Sequence, residues 1–417
     1  MAIQNICDTN MCTGCETCLQ ICTHSAITMQ SNEEGFLYPR INPTLCIECG
    51  LCKSRCPVNF PITRKFLPLE IYSGWSNNEN IRIESSSGGA FTEIAKLILR
   101  KKGVVFGVAM DKDINARHIY VEKETDLEKL RGSKYVQSTI ADSYIKAKEF
   151  LSQGREVLFS GTPCQIAGLR NFLHKDFQNL TTVDIICHGV PSPKVFNDYK
   201  IYIESLINEK IENIKFRCKK SSWIFYNMGI NSHIEKNGKT TYTYIGNYYS
   251  DPYIRAFLRD NILRQNCYNC QYTSTQRVSD FTIADWWKYK ATKAKDKDYD
   301  KKGVSLLMCN TEKAVSISKH LNMELTARTL EEALKTNISL KHPFPMPTTR
   351  KQFWKDYRNL SFDEMKAKWM YPDKIPLSIY LKIYHRKLSF LFQAVNLYEK
   401  VVRKIHLQNF IIKIQAK

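Results

Sequence analysis

Cys12, Cys15, Cys18 and Cys22 recur 34 residues on as Cys46, Cys49, Cys52 and Cys56, both sets spaced C-x2-C-x2-C-x3-C. No other feature limits the chain so tightly. Three thiolates separated by pairs of residues wrap one [4Fe–4S] cluster from a single short loop. The fourth, three residues on, points away and reaches the cluster of the other loop. The spacing therefore assigns Cys12, Cys15, Cys18 and Cys56 to one cluster and Cys46, Cys49, Cys52 and Cys22 to the other.

Zinc usually takes two CxxC pairs across a long spacer, not two evenly spaced tetrads. Disulfides would imply a secreted chain, and MAIQNICDTN lacks a basic stretch followed by an apolar one. Pro57 follows Cys56 as the ferredoxin pattern asks, whereas Thr23 follows Cys22. That departure touches a turn and not a ligand.

A chain of 417 residues, 43% hydrophobic, has room for two or three domains with a proper core. Fifteen cysteines in a charged, unsecreted chain point to a reducing cytoplasm and to metal use. No apolar run approaches the ~18 residues of a spanning helix. The net charge of +20 attracts anions, and an acidic electron carrier such as a ferredoxin or flavodoxin fits it. Diffuse solubilising lysines would give the same charge. No nucleic-acid motif accompanies the basic balance, so no nucleic-acid partner is expected. No C-x3-C-x2-C run of a radical-SAM enzyme is present.

The fold expectation is α+β: a two-cluster ferredoxin domain over 1–62, a mixed α/β domain over 69–350 and a basic helical tail over 351–417. In the first unit, Ala26–Met29 and Gly35–Ile41 read as short strands. Its core is too small to fold without the clusters. Pro57, Pro61 and Pro68 mark a linker. In the second unit, Ala90–Lys102 has helical spacing, Val104–Ala109, Glu156–Phe159 and Thr182–Ile186 read as strands, and Gln165–His174 as a helix. This alternation predicts some parallel sheet. Residues 211–250 read as antiparallel strands and Lys288–Lys302 as an exposed loop. From Leu377 to Lys417, eight Lys/Arg and one acid lie among Ile, Leu and Phe. Such helices lie on an anionic membrane surface, pack on the domain or dock a partner.

Cys164 follows one predicted strand and Cys187 another. If these strands are neighbours, both thiols sit at one carboxyl edge of the sheet, where α/β domains bind ligands. With Cys267 and Cys270 they make four thiolates, enough for a third cluster. A zinc CxxC, a redox dithiol and unrelated buried cysteines stay open. Cys7, Cys218 and Cys309 stand alone and read as core or incidental residues.

SSSGG at 85–89, RGSKYVQS at 131–138, FSGTPCQIAGL at 159–169, DIICHGVPSP at 184–193, CYNCQY at 267–272, SDFTIADWW at 279–287 and KGVSLL at 302–307 occur in order. In this combination the chain resembles the coenzyme F420 hydrogenase/dehydrogenase β-subunit family, with a ferredoxin domain in front. The resemblance implies FAD with a [4Fe–4S] cluster beside it, held by Cys164, Cys187, Cys267 and Cys270. It implies an oxidoreductase joining one-electron carriers to a hydride-transferring substrate, F420 or another, alone or docked to a catalytic partner subunit. A flavin is the natural converter between the two.

Within that expectation, Ser87, Gly88 and Gly89 open a helix whose N–H groups suit the FAD pyrophosphate. A plain turn is the alternative. Lys134 is expected at a phosphate or the reduced flavin, or else solvated. Thr162 and Gln165 flank Cys164 and are expected to hydrogen-bond the flavin ring. His188 tunes a cluster from beside Cys187 or caps a strand. Asp280 and Asp285 bind a ligand or pair with Arg277. No residue specifies the substrate.

Overall fold

The computed structural model describes residues 5–220, 222–234, 240–289 and 299–370. After the first cysteine tetrad the chain forms an antiparallel hairpin of β1 (Ile27–Ser31) and β2 (Leu37–Ile41). This unit buries little of its own: Ile6, Ile27, Cys52 and Cys56 form its core. The proline-marked stretch after Cys56 is not a free linker. Pro57 is buried, and Phe66 bridges to Arg277 in both directions.

The larger unit is built on an eight-stranded sheet. Its strands are β3 (Glu70–Ser76), β4 (Val104–Met110), β5 (Ala116–Val121), β6 (Val157–Gly161), β7 (Leu180–Ile185), β11 (Phe281–Asp285), β12 (Ser305–Cys309) and β13 (Met323–Ala327). They lie in the order β13-β3-β12-β11-β7-β6-β4-β5. The four central strands β11, β7, β6 and β4 run parallel, and antiparallel strands flank them. Central parallel strands are buried on both faces and so read as continuous apolar runs. In β6, Val157 and Phe159 pack under the helices Ser143–Ser152 and Pro163–Leu173, while Leu158 faces Ala90–Arg100.

A second sheet of β8 (Ile214–Cys218), β9 (Asn227–Ile234) and β10 (Thr240–Asn247) is antiparallel, as the alternation in 211–250 predicts. Its core takes Val195, Phe196 and Tyr199 from the helix Pro193–Ile207.

Two expectations change. The helices Arg350–Tyr357 and Phe362–Trp369 bury Phe353, Trp354 and Met365 in that second core. The body therefore extends through residue 370, and the boundary drawn at 350 cuts a packed helix. The basic segment Leu377–Lys417 lies outside the described residues. Lys288–Lys302 is not one exposed loop, since Tyr289 is buried and Tyr299–Lys302 forms a helical turn; residues 290–298 lie outside the description. Among the described residues no helix is long and apolar enough to cross a membrane.

Candidate iron–sulfur and cofactor site

Both N-terminal loops are bent in the same way. Gly14 and Glu16 have φ of 68° and 59°, and Glu48 and Gly50 at the matching places have 60° and 74°. Left-handed residues between the cysteines turn successive N–H groups inward, forming a backbone nest of the kind that holds iron–sulfur groups. A glutamate adopts that conformation only under constraint.

Cys22, Cys46, Cys49 and Cys52 line one small cavity with His24, Ile47 and Leu51, and Cys49 is exposed. The other four gather deeper. Burial pushes the Cys18 thiol well up, and Cys15, Cys12 and Cys56 add to the effect. Each loop thus has the fourth cysteine of the other beside it. All fifteen cysteines are free. Cys7, read as a core or incidental residue, packs against the core of the N-terminal unit and hydrogen-bonds to Cys12 and Cys56, which raises its own thiol and brings Cys12 down to about 6. Cys218 and Cys309 are buried, as read.

The third set assembles at the sheet edge. β6 and β7 are adjacent and parallel, with Gly161 opposite Asp184. Cys164 opens the helix after β6, and Cys187 follows β7. Cys267 lies in the turn Gln265–Asn269, and Cys270 comes next. Burial raises all four thiols, Cys267 to about 12, and the neighbours that raise Cys187 further are Cys267, Cys164 and Cys270. Cys15 of the N-terminal unit is among those that raise Cys164. Four crowded thiols are costly to ionise together, even though Arg264 and Arg350 favour the Cys267 thiolate and Arg277 that of Cys270; a bound metal cluster would offset that cost. Among the described residues no three His, Cys, Asp or Glu group closely enough to share one metal ion. A four-iron cluster makes a different demand, with the four thiolates spread around its corners.

Beside these thiols is a cavity of about 410 Å³. Ser87, Gly89, Lys134, Thr162 and Gln165 line it, with Thr13 and Gly14 of the N-terminal unit. The helix Ala90–Arg100 starts from Gly89, with φ of 99° and no side chain capping it. Its free N–H groups suit an anion. Gly88 turns away instead. Its N–H donates to Ser305 Oγ at 2.8 Å, and a Cβ would lie 2.3 Å from Gly74 O. It is a packing glycine.

Lys134 is half-buried. Its Nζ donates to Arg131 O at 2.9 Å, and burial brings its pKa down to about 7, with the Arg131 charge adding to the effect. Thr162 and Gln165 pair with each other as a capping box at the start of the Cys164 helix. Gln165 Nε2 then donates to Ser138 Oγ at 3.0 Å, and Thr162 Oγ1 lies 3.1 Å from Cys164 Sγ. His188 does not cap a strand; its Nε2 lies 2.6 Å from Asp260 Oδ1, and its ring stacks on Phe344. Neither aspartate of SDFTIAD pairs with Arg277, which binds Asp184 at 2.9 Å. Asp280 accepts from Thr182, and Asp285 on the cavity wall holds Arg217 and Trp223.

Sequence reasoning missed three cations. Arg217 pairs with Asp285 on the cavity wall. Lys219 Nζ donates to the carbonyls of Arg82, Ser87 and Lys302, tying SSSGG to KGVSLL. Arg264, fully buried, donates to Cys12 O at 2.8 Å and Leu37 O at 3.0 Å, and its guanidinium lies 4.0 Å from the Tyr38 ring. A lone Lys or Arg leaves no periodic signal in a sequence. Arg264 seats the N-terminal unit together with Arg350, which grips Glu34 through both its Nη atoms, Nη1 at 2.9 Å.

Residues 71–144 and 154–333 match the N-terminal and C-terminal models of the coenzyme F420 hydrogenase/dehydrogenase β subunit, and 11–60 match the 4Fe-4S dicluster domain. A coenzyme F420-dependent sulfite reductase of Methanocaldococcus jannaschii is 27% identical over 228 residues, 51% of this chain and 33% of that protein. The chain thus spans about a third of that relative. An uncharacterized ferredoxin of the same organism is 32% identical over 59 residues, 14% of this chain and 75% of that protein. A chain of the F420-reducing [NiFe] hydrogenase complex from Methanosarcina barkeri superposes with a TM-score of 0.44 at 15% identity, over 70% of this chain and 92% of that one. With its two β-subunit matches running from 71 to 333, the chain belongs to the coenzyme F420 hydrogenase/dehydrogenase β-subunit family and carries a 4Fe-4S dicluster domain in front.

Proposed function

We propose that this protein is an iron–sulfur flavoprotein oxidoreductase that takes single electrons from, or gives them to, a low-potential carrier and exchanges a hydride with a small substrate, F420 or another. The observation that carries the reading is the succession of thiol sets. The outer set holds exposed Cys49, the next abuts Cys164 through Cys15, and the third opens on the cavity. Clusters held at these sets would supply one-electron steps, and FAD held in the cavity would supply the conversion to a two-electron hydride.

The residues would act as follows. Cys12, Cys15, Cys18 and Cys56, Cys22, Cys46, Cys49 and Cys52, and Cys164, Cys187, Cys267 and Cys270 would each hold one cluster. The helix start at Gly89, Ser87 and Lys134 would take the FAD phosphates. Thr162 and Gln165, fixed by their capping box, would present a rigid polar edge to the ring. Free thiols in this number suit a cytoplasmic setting.

Iron, sulfide and flavin content after anaerobic purification tests the proposal, with spectra before and after dithionite. About twelve irons and one FAD are expected. About eight irons without flavin would overturn it.

A second reading is a non-catalytic electron-transfer subunit docked to a separate catalytic one. The short span of the sulfite reductase that the chain matches favours it. Full activity of the isolated chain would remove it.

A further inference from the structure

The outer thiol set has apolar, exposed surroundings. Leu45 and Ile47 are 48% and 61% exposed, and Leu51 is exposed beside them. Ile47 and Leu51 line the cavity of Cys22, Cys46, Cys49 and Cys52. Large aliphatic side chains held in water next to a redox group are what an interface centre requires.

The short helix Leu51–Ser54 leads from this patch to a second feature. Ser54 lines a broad open groove of about 1120 Å³ between the N-terminal unit and the sheet domain. Six cations line it, Arg55, Arg64, Lys65, Arg170, Lys175 and Lys313, against Asp176, Asp280 and Glu312. Two of the acids are already engaged: Asp280 accepts from Thr182 and Thr311, and Asp176 pairs with Arg64, one of the six cations. Arg170 Nε is buried and meets no acceptor among the described residues. Phe60 and Leu67 stand exposed along the same wall.

We infer that this face, the Leu45–Leu51 patch with the basic groove beside it, docks a small acidic one-electron carrier protein. The inference rests on the reading that Cys22, Cys46, Cys49 and Cys52 hold a cluster. An acidic rim around the carrier's redox centre would meet the groove, and its apolar centre would meet Ile47 and Leu51. One electron leaves the reduced carrier and one reaches the outer cluster, with no proton transferred. The groove is too wide and open to enclose a small anion. Its excess of positive charge steers an acidic partner and so acts on the association rate.

The test is stopped-flow bleaching of the clusters in the anaerobic holoprotein by a reduced, acidic [4Fe–4S] ferredoxin. Three proteins are compared: wild type, Lys65→Glu/Lys175→Glu in the groove, and Lys341→Glu/Lys355→Glu, a control with the same charge change elsewhere. At low salt the second-order rate constant should fall at least about tenfold in the groove variant and less than about twofold in the control. Bleaching by the small methyl viologen radical should be equal in all three. A groove variant that reacts like the control overturns the docking face. Loss of bleaching by methyl viologen in the wild type overturns the cluster reading, and the docking inference falls with it.

Discussion

Gly168 is where the helix carrying Cys164 meets the loop carrying Cys15. A Cβ at Gly168 would lie 3.0 Å from Cys15 Cβ, 2.7 Å from Thr17 Oγ1 and 2.9 Å from Tyr144 Oη. Two thiol sets from different units are therefore brought together without a side chain between their backbones.

Gly168→Val should pry the units apart. Overpacking of this kind costs about 1–3 kcal/mol, and the segment 57–69 that spans the units should become open to protease. Limited proteolysis of holoprotein against wild type checks this. An unchanged digestion pattern at unchanged stability would show that the contact is slack.

Cys187→Ser should remove iron selectively. Content is expected to drop from about twelve to about eight irons per chain. The reduced spectrum of the N-terminal clusters should persist, because Cys187 borders only the third set. Iron content equal to wild type would refute a cluster at that position.

If the cavity takes FAD as proposed, Lys134 should make that binding depend on pH. Burial, with the Arg131 charge adding to it, brings its pKa down to about 7. A bound phosphate stabilises the charged form and raises that pKa. Affinity should be full below pH 7 and weaken above it, by up to about tenfold per pH unit. Titration of apoprotein with FAD from pH 6 to 9 measures this. In Lys134→Met the slope should vanish and affinity at pH 6 should fall at least about tenfold. A pH-independent wild type would place the phosphates elsewhere.

Arg264 should tune the potential of the proposed cluster at Cys12 as well as seat the N-terminal unit. Its Nη2 lies 3.5 Å from Cys12 Sγ with its charge buried. A cation near a cluster favours the reduced, more negative state. Arg264→Met should lower the midpoint potential of one N-terminal cluster by on the order of 50 mV, near the 59 mV of a tenfold one-electron change. It should also destabilise the seat by about 1–3 kcal/mol, since buried carbonyls lose their donor. EPR-monitored titration separates the two effects.

Much of the architecture was legible because its signals are local. Val157, Leu158 and Phe159 read as a strand since both faces of β6 are buried, and GTPCQ announces a helix start through Thr162 and Gln165. The flanking strands were harder. β3 pairs with β12 and β13 across more than two hundred residues, and no local pattern encodes such a pairing. In the site, the strand pattern placed Cys164 and Cys187 at one sheet edge on condition that their strands are neighbours, which β6 and β7 are. Spacing alone left a zinc site, a redox dithiol and unrelated cysteines open beside a four-thiol set. Gly88 and Gly89 were indistinguishable in sequence, since only the fold shows which one meets Gly74 and which begins a helix. Arg217, Lys219 and Arg264 act through distant carbonyls and acids.

Glu34 and Arg350 are 316 residues apart in the chain. At about 5–20 residues per second, roughly 15 to 60 s of synthesis separate the cysteine-rich arm from the helix that clasps it. Nascent chains stalled before Arg350 are expected to take up iron as readily as finished ones; slower uptake would show that the clasp must come first. On this expectation the grip of Arg350 on Glu34 acts as a timer, leaving the arm open to metal donors until residue 350 has been made.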